Sequence, residues 1–475
     1  MTEPADGEVR QSLLAAADLA ADFLAMRRTA PVSVDVSVPS LEKRLQAYDF
    51  RAPQPLEAVS ADVFDLLGSH AVRSDHPRYF GLFNPPALPA AIVGDLIAAT
   101  VNPQLAVWSH APAAAAVERK LLQLFGTHIG WPADTVAGTF TSGGSEANHT
   151  ALLAALARRY PGWAGDGVAG LSVKPAIYVS SEAHLAWIKI ARAAGLGSEA
   201  VRLVPAADGL ALSGSTLADF IDGDGERDPV LIVATAGTTA HGAIDDLRGI
   251  AAVARAHDAH LHVDAAWAGG ALLADEGKAL LRDLALADSV TIDPHKWLCV
   301  PMGAGMYLTR GWADLQSAFA VRTGYMPSAS LERRDAYIHS LQWSRRFIGL
   351  KLFMALAQLG VDGYARMIRR QLELGRYLRE SLHAHGWNVR NDSPLPLVCF
   401  APAAETKVQD EAVTRIAAIV VASGMAWLST VTLRGQLVLR ACITSHETTR
   451  EDVDALLDLL ERARRQLDAE SPAAR

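Results

Sequence analysis

A chain of 475 residues, half of them hydrophobic and a fifth charged, is long enough for two or three packed regions around a large core. Its 52 acidic side chains outnumber the 44 basic ones and leave a net charge of −8, which argues against a nucleic-acid binder. Only three cysteines occur, Cys299, Cys399 and Cys442, none in a CxxC spacing, so neither a metal site nor a disulfide framework is expected and a cytoplasmic protein is.

Residues 1–89 read as an N-terminal helical arm. The acidic start has no apolar signal-peptide core. Leu13, Leu14, Leu19, Phe23 and Leu24 then give a helix to about Arg28 an apolar face suited to packing on a second copy of the chain. From Pro31 the segment is punctuated by proline and ends in the turn-rich Asp75-His-Pro-Arg-Tyr-Phe-Gly-Leu-Phe-Asn-Pro-Pro86. Residues 90–384 read as a large α/β domain. Apolar runs at Ala176–Val179, Val230–Val233, His260–Val263, Val290–Ile292 and Gly305–Leu308 alternate with helical patterns, which implies a mostly parallel sheet with helices on both faces. Ligands of such sheets bind beyond the carboxyl ends of the strands. Strong helical periodicity follows from about Trp343 to Ala384. Residues 385–475 read as a small α+β domain, with strands at Leu397–Phe400 and Leu437–Ala441 and a last helix opened by the capping-box-like Thr449-Arg-Glu-Asp452. The apolar run Ile416–Leu433 is interrupted by Ser423, Gly424, Ser429 and Thr430, and reads as helix, turn and strand rather than a membrane span.

The chemistry-bearing residues fall at the strand ends. Gly143-Gly144-Ser145-Glu146-Ala147-Asn148 follows a strand-like segment and opens a helix. Glycines let the backbone approach a ligand, and a helix N-terminus offers N–H groups to a phosphate; read alone, the motif is also an ordinary glycine turn. His184, just past a strand, could stack a flat imidazole on a cofactor ring or be a plain surface or core histidine. Thr235, Thr238 and Thr239 end another strand, where hydroxyls reach a cofactor's polar edge or cap the next turn. Asp264, in His-Val-Asp264-Ala-Ala-Trp-Ala-Gly, is a carboxylate at an apolar strand end and so requires a partner. Lys296 follows 32 residues later in Asp-Pro-His-Lys296-Trp, in an apolar context, with His295 beside it as a possible source of positive charge. An acid that keeps a pyridine nitrogen protonated, with a later lysine that forms a Schiff base, is the pair that pyridoxal 5'-phosphate (PLP) chemistry requires.

Taken in order, His-Pro-Arg-Tyr-Phe, Gly-Gly-Ser-Glu-Ala-Asn, His-Val-Asp-Ala-Ala-Trp-Ala-Gly and Asp-Pro-His-Lys-Trp resemble the group II PLP-dependent amino acid decarboxylases, the aromatic-L-amino-acid and glutamate decarboxylase-like family, from about Leu41 to Arg464. The resemblance implies the aspartate-aminotransferase-type fold (fold type I) and a homodimer with its active sites at the subunit interface. It implies that Lys296 is the Schiff-base lysine, that Asp264 pairs with the pyridine nitrogen, that Ala266 packs on the ring and that His184 stacks on the opposite face. Gly144, Ser145 and His295 would contact the phosphate, and Thr235 would lie near the polar edge. Asp293 stands where several animal members have asparagine; a phosphate would repel it unless it is paired or turned away, and it is left out of the phosphate set.

Tyr325, in the polar, small-residue stretch Arg322–Arg334, matches the loop tyrosine that protonates Cα after carbon dioxide departs, whereas relatives with phenylalanine tend to form aldehydes by oxidative deamination. The expected reaction is therefore decarboxylation of an L-amino acid to an amine, with no metal, nucleic acid or membrane involved. By the same resemblance Phe80–Pro86 lines the side-chain pocket. Leu82 and Phe83 suit an aromatic substrate, while Asn84 and Gln104 add polarity and keep acidic or other polar substrates open. The pairs Arg333-Arg334 and Arg345-Arg346 read as solvated or structural, and Arg440 as structural or carboxylate-facing.

Overall fold

Runs of valine, isoleucine, leucine and alanine too continuous to alternate in polarity suit strands covered on both faces. In the computed structural model, which describes residues 6–206, 210–321, 323, 334–403 and 406–470, they form β1 (Val136–Thr141), β2 (Pro175–Ser180), β3 (Val201–Val204), β4 (Asp228–Thr235), β5 (His260–Asp264), β6 (Ser289–Ile292) and β7 (Gly305–Arg310). These make one sheet of order β1-β7-β6-β5-β4-β2-β3. β3, β2, β4, β5 and β6 run parallel, and β7 is antiparallel to both its neighbours. All five apolar runs expected in the α/β region are strands of this sheet. The expected α/β architecture is borne out.

The chain divides into two compact units. The one that carries this sheet comprises Phe83–Tyr377 and Asn391–Val398. Its core includes Leu152, Ile177, Val179, Trp187, Leu231 and Val233, all essentially inaccessible. Helical structure resumes at Leu350 rather than at Trp343, and the long helix to Ala384 is interrupted at Gly360, whose φ of 68° lies in the left-handed region. Residues before Leu350 are held out of helix by specific polar contacts. Arg345 Nη2 donates to Glu118 Oε2 at 2.7 Å in the interior, and Gly349 N donates to Glu118 Oε1 at 3.0 Å. Arg346 is exposed and pairs with Asp95, and Arg334 lies over the Trp312 ring; both are structural or solvated, as expected for these pairs. Arg333 lies outside the described residues.

The other unit comprises Met1–Leu82, Leu378–Arg390 and Cys399–Arg475. A four-stranded sheet joins β8 (Asn388–Val389), β9 (Leu397–Ala401), β10 (Ser429–Leu433) and β11 (Gln436–Cys442) in the order β10-β11-β9-β8. The helix Thr406–Ala422 precedes β10, so the 416–433 run is the expected helix, turn and strand. The last helix, Arg450–Glu470, opens on a reciprocal cap: Thr449 N donates to Asp452 Oδ2 at 3.0 Å and Asp452 N to Thr449 Oγ1 at 3.4 Å. Arg440 Nη1 donates to Gly81 O at 2.6 Å and to Ser429 Oγ at 3.3 Å, which makes it a structural residue. Leu13 and Leu14, on the helix Asp6–Ala25, are exposed. Among the described residues no helix is long and apolar enough to cross a membrane.

Candidate active site

Five strand ends of the larger sheet converge on a cavity of about 360 Å3 lined by Gly144, Ser145, His184, Thr235, Asp264, Ala266, His295 and Lys296, among others. These are the eight residues that the sequence assigned to a cofactor, drawn from segments more than 150 positions apart. Parallel pairing explains the convergence. Thr235 of β4 is the register partner of Asp264 of β5, which is the partner of Thr291 of β6, and Asp293 and Lys296 follow β6 directly.

Beyond β1, Ser142 turns the chain into the helix Gly144–Arg159. Glu146 reaches back to accept from Ser142 N at 2.8 Å and Ser142 Oγ at 2.7 Å, which fixes the turn. A Cβ on Gly144 would come within 2.8 Å of Asp293 Oδ2, so a larger residue here would have to displace that carboxylate. The helix presents unpaired N–H groups at this end, a setting for a phosphate.

Asp264 is nearly buried, at 7% exposure. Its Oδ1 accepts from Ala266 N at 3.0 Å and its Oδ2 from Asn148 Nδ2 at 2.8 Å. Lys296 Nζ lies 3.1 Å from Asp293 Oδ2, and Asp293 Oδ1 is buried with no hydrogen-bond partner among the described residues. Asp293 is thus a lining residue of the cavity, paired as an acid in that position must be. His295 Nδ1 lies 2.7 Å from Ala304 O. Burial lowers the His295 pKa, only partly offset by Asp293, so the charge it was expected to lend Lys296 is suppressed near neutral pH. His184 Nδ1 accepts from Ala186 N at 3.2 Å, which leaves Nε2 as the donor nitrogen of the ring. Thr235 Oγ1 is buried and has no partner among the described residues.

The side-chain-pocket candidates are placed differently. Leu82 is exposed and belongs to the other unit. Phe83 is buried and stacks on Trp267, which lines the cavity (4.5 Å, 17°). Asn84 Oδ1 is buried without a partner among the described residues. Gln104 Oε1 accepts from Ala106 N at 3.1 Å and from Arg345 N at 3.2 Å, so its amide oxygen holds a loop. Tyr325 lies outside the described residues.

Sequence reading missed Asn148, His262 and Lys351. Asn148 stood in a quoted motif without a role, yet at four residues past Gly144 it returns to the same helix face. His262 shares a strand face with Asp264 by the two-residue period. Lys351 Nζ donates to Met302 O at 2.8 Å and reaches Pro301 O and Gly303 O, and Met302 lines the cavity. Nothing in the sequence links Lys351 to that loop. A glycine turn that opens a helix, a buried carboxylate, a hydroxyl without a partner among the described residues and a cavity-lining lysine are together a fitting donor set for PLP.

Residues 39–402 match the family model described as the pyridoxal-dependent decarboxylase conserved domain. An aromatic-L-amino-acid decarboxylase of Bacillus atrophaeus is 27% identical over 94% of this chain and 93% of that protein. An L-2,4-diaminobutyrate decarboxylase of Rhizobium meliloti is 30% identical over 97% of this chain and 92% of that protein. Among solved structures, the Oryza sativa TDC with PLP and tryptamine superposes with a TM-score of 0.92 at 26% identity, covering 98% of this chain and 99% of that one.

Proposed function

The chain belongs to the pyridoxal-dependent decarboxylase family and is a PLP-dependent amino acid decarboxylase, and from that premise we propose that its substrate is an aromatic L-amino acid, decarboxylated to the amine. The observation that carries the substrate class is the stacked pair of Phe83 on Trp267, an apolar aromatic wall behind the cavity. A flat side chain gains from such a wall, and a carboxylate side chain would be desolvated against it. Of the two polar residues that kept an acidic substrate open, Asn84 and Gln104, the second has its oxygen already taken by two backbone N–H groups.

PLP, when bound, supplies the electron sink that stabilises the carbanion left by departing carbon dioxide. Lys296 would hold it covalently. Asp264 accepts from the ring nitrogen. Ala266 and His184 would take its two faces, Gly144, Ser145 and His295 would take the phosphate, and Thr235 Oγ1 would complete the polar edge. His184 helps to orient the substrate carboxylate across the ring plane, where alignment selects decarboxylation. Tyr325 returns a proton to Cα. Phe83 and Asn84 shape the side-chain pocket. The working form is a homodimer, supported by the exposed apolar residues Leu13 and Leu14 of the first helix. A cytoplasmic setting is supported by the burial of all three cysteines.

A second reading, an aliphatic diamino acid, is favoured by the 30% identical relative named for L-2,4-diaminobutyrate. One experiment separates them. Purified enzyme with PLP is given a panel of L-amino acids and the products are read by mass spectrometry. Tryptamine, tyramine or phenethylamine is expected. A diamine from 2,4-diaminobutyrate alone, or γ-aminobutyrate or β-alanine alone, would overturn the aromatic pocket while leaving the decarboxylase intact. Aldehydes in place of amines would overturn the role of Tyr325.

A further inference from the structure

Five polar side chains are buried together in the larger unit behind Asp264, and the proposed reaction uses none of them. Asn148, His260, His262, Ser289 and Thr291 are at most 2% exposed. His260, His262 and Asp264 occupy one face of β5, and the register sets Ser289 opposite His262 and Thr291 opposite Asp264. Buried polar groups persist only when each finds a partner.

Partner chemistry fixes the direction of every bond. A carboxylate only accepts, so Asn148 turns its Nδ2 to Asp264 Oδ2 at 2.8 Å. That leaves Asn148 Oδ1, also an acceptor only, toward Thr291 Oγ1 at 2.7 Å and His262 Nε2 at 3.1 Å. Both must donate, so the His262 proton is on Nε2. Burial lowers the His262 pKa well below its ordinary value, the ring is neutral, and Nδ1 accepts from Ser289 Oγ at 2.8 Å. Ser289 Oγ then accepts from His260 Nε2 at 2.7 Å. His260 is neutral too, which leaves Nδ1 with a bare lone pair, and that atom has no partner among the described residues. His260 lines a cavity of about 200 Å3 with Arg158, Arg159 and Asp258, where the row can be completed by a donor from outside. From His260 to Asp264 each donor points the same way, toward the carboxylate. Trp187 meets the His262 ring edge-on at 5.7 Å and Tyr307 lies parallel to it at 6.3 Å, so the imidazole cannot turn away.

We propose that Asn148, His262 and Ser289 are positioning residues that hold Asp264 as an unprotonated acceptor for the ring nitrogen of PLP. A one-way row of donors stabilises the anion and opposes its protonation. The proposal rests on the reading that Asp264 faces that nitrogen.

The test uses holoenzyme loaded with PLP labelled with 15N in the ring, in wild type, His262→Phe, Ser289→Ala and Asp264→Asn. Phenylalanine keeps the stacked shape and removes the donor. His262→Phe is expected to move the ring 15N resonance toward the unprotonated position and to lower kcat about tenfold, the factor that one pKa unit at the ring nitrogen represents, with KM little changed. Ser289→Ala shifts both in the same direction by less, and decides the matter if the phenylalanine variant does not fold. A wild-type resonance and kcat in both variants, with a displaced resonance in Asp264→Asn, would make the row structural only and overturn the proposal. An unmoved resonance in Asp264→Asn would instead overturn the reading of Asp264 itself, and the proposal with it.

Discussion

At the residue scale, Asp293 is the side chain that fits a phosphate cradle least. It is buried beside Gly144 and compensated by Lys296 at 3.1 Å. A cofactor phosphate brought to Gly144 and Ser145 would add negative charge near this carboxylate. Two like charges a few ångströms apart in a partly desolvated site repel by ~1–4 kcal/mol. Asp293→Asn keeps the shape and removes the charge. It is expected to tighten PLP binding by about tenfold, ~1.4 kcal/mol, read by titrating the apoenzyme with PLP and following absorbance. Weaker binding in the variant would show that Asp293 serves chiefly to hold Lys296 in place.

At the element scale, the segment from β6 to β7 carries Asp293, His295, Lys296 and Met302 and has little regular structure of its own. Its far end is held by Lys351, 2% exposed, whose ammonium meets the carbonyls of Pro301, Met302 and Gly303. Burial lowers the Lys351 pKa, and Asp95 only partly offsets it. Lys351→Met removes the charge and leaves those carbonyls without their donor, so it should cost ~2–3 kcal/mol of stability and loosen the Lys296 segment, lowering PLP affinity severalfold. Thermal unfolding and PLP titration of one sample test both. Unchanged affinity with lost stability would confine Lys351 to the scaffold. Elements of this kind mark the limit of sequence reading. The strands were legible because their apolar runs are local, and Asp264 and Lys296 because a charged group at an apolar strand end stands out. His260 and His262 share a face with Asp264 by period alone, but their link through Ser289 depends on the pairing of β5 with β6, a contact between residues 27 apart. The helix expected from Trp343 starts at Leu350 because Glu118, more than 200 positions away, claims Arg345 and Gly349. Local periodicity carries no trace of such partners.

At the scale of the whole molecule, the same burial that builds the site makes the fold sensitive to acid. His76, His128, His149, His260, His262, His295 and His339 all have pKa values lowered by burial, His260 and His339 to about 4. A histidine depressed from 6.5 to about 4 binds its proton in the unfolded chain before the folded one. Its contribution is therefore complete above pH 6.5 and lost as pH falls through that window, at ~1.4 kcal/mol per pH unit for each such group. Glu118, Asp245 and Asp314 act in the opposite sense, because burial raises their pKa values, that of Asp245 to about 7. The histidines outnumber them, so the melting temperature should fall between pH 6.5 and pH 5. His339 tests this alone, since among the described residues its Nδ1 meets Asp335 O and its ring packs edge-on to Trp312, away from the residues assigned to PLP. His339→Phe should flatten the dependence by up to ~1.4 kcal/mol per pH unit over that range, whatever it does to stability at pH 7.5. Denaturant unfolding of both proteins at several pH values gives the two slopes directly. Parallel slopes would mean that His339 takes up its proton in the folded protein as readily as in the unfolded chain, and that its pocket admits water when the imidazole charges.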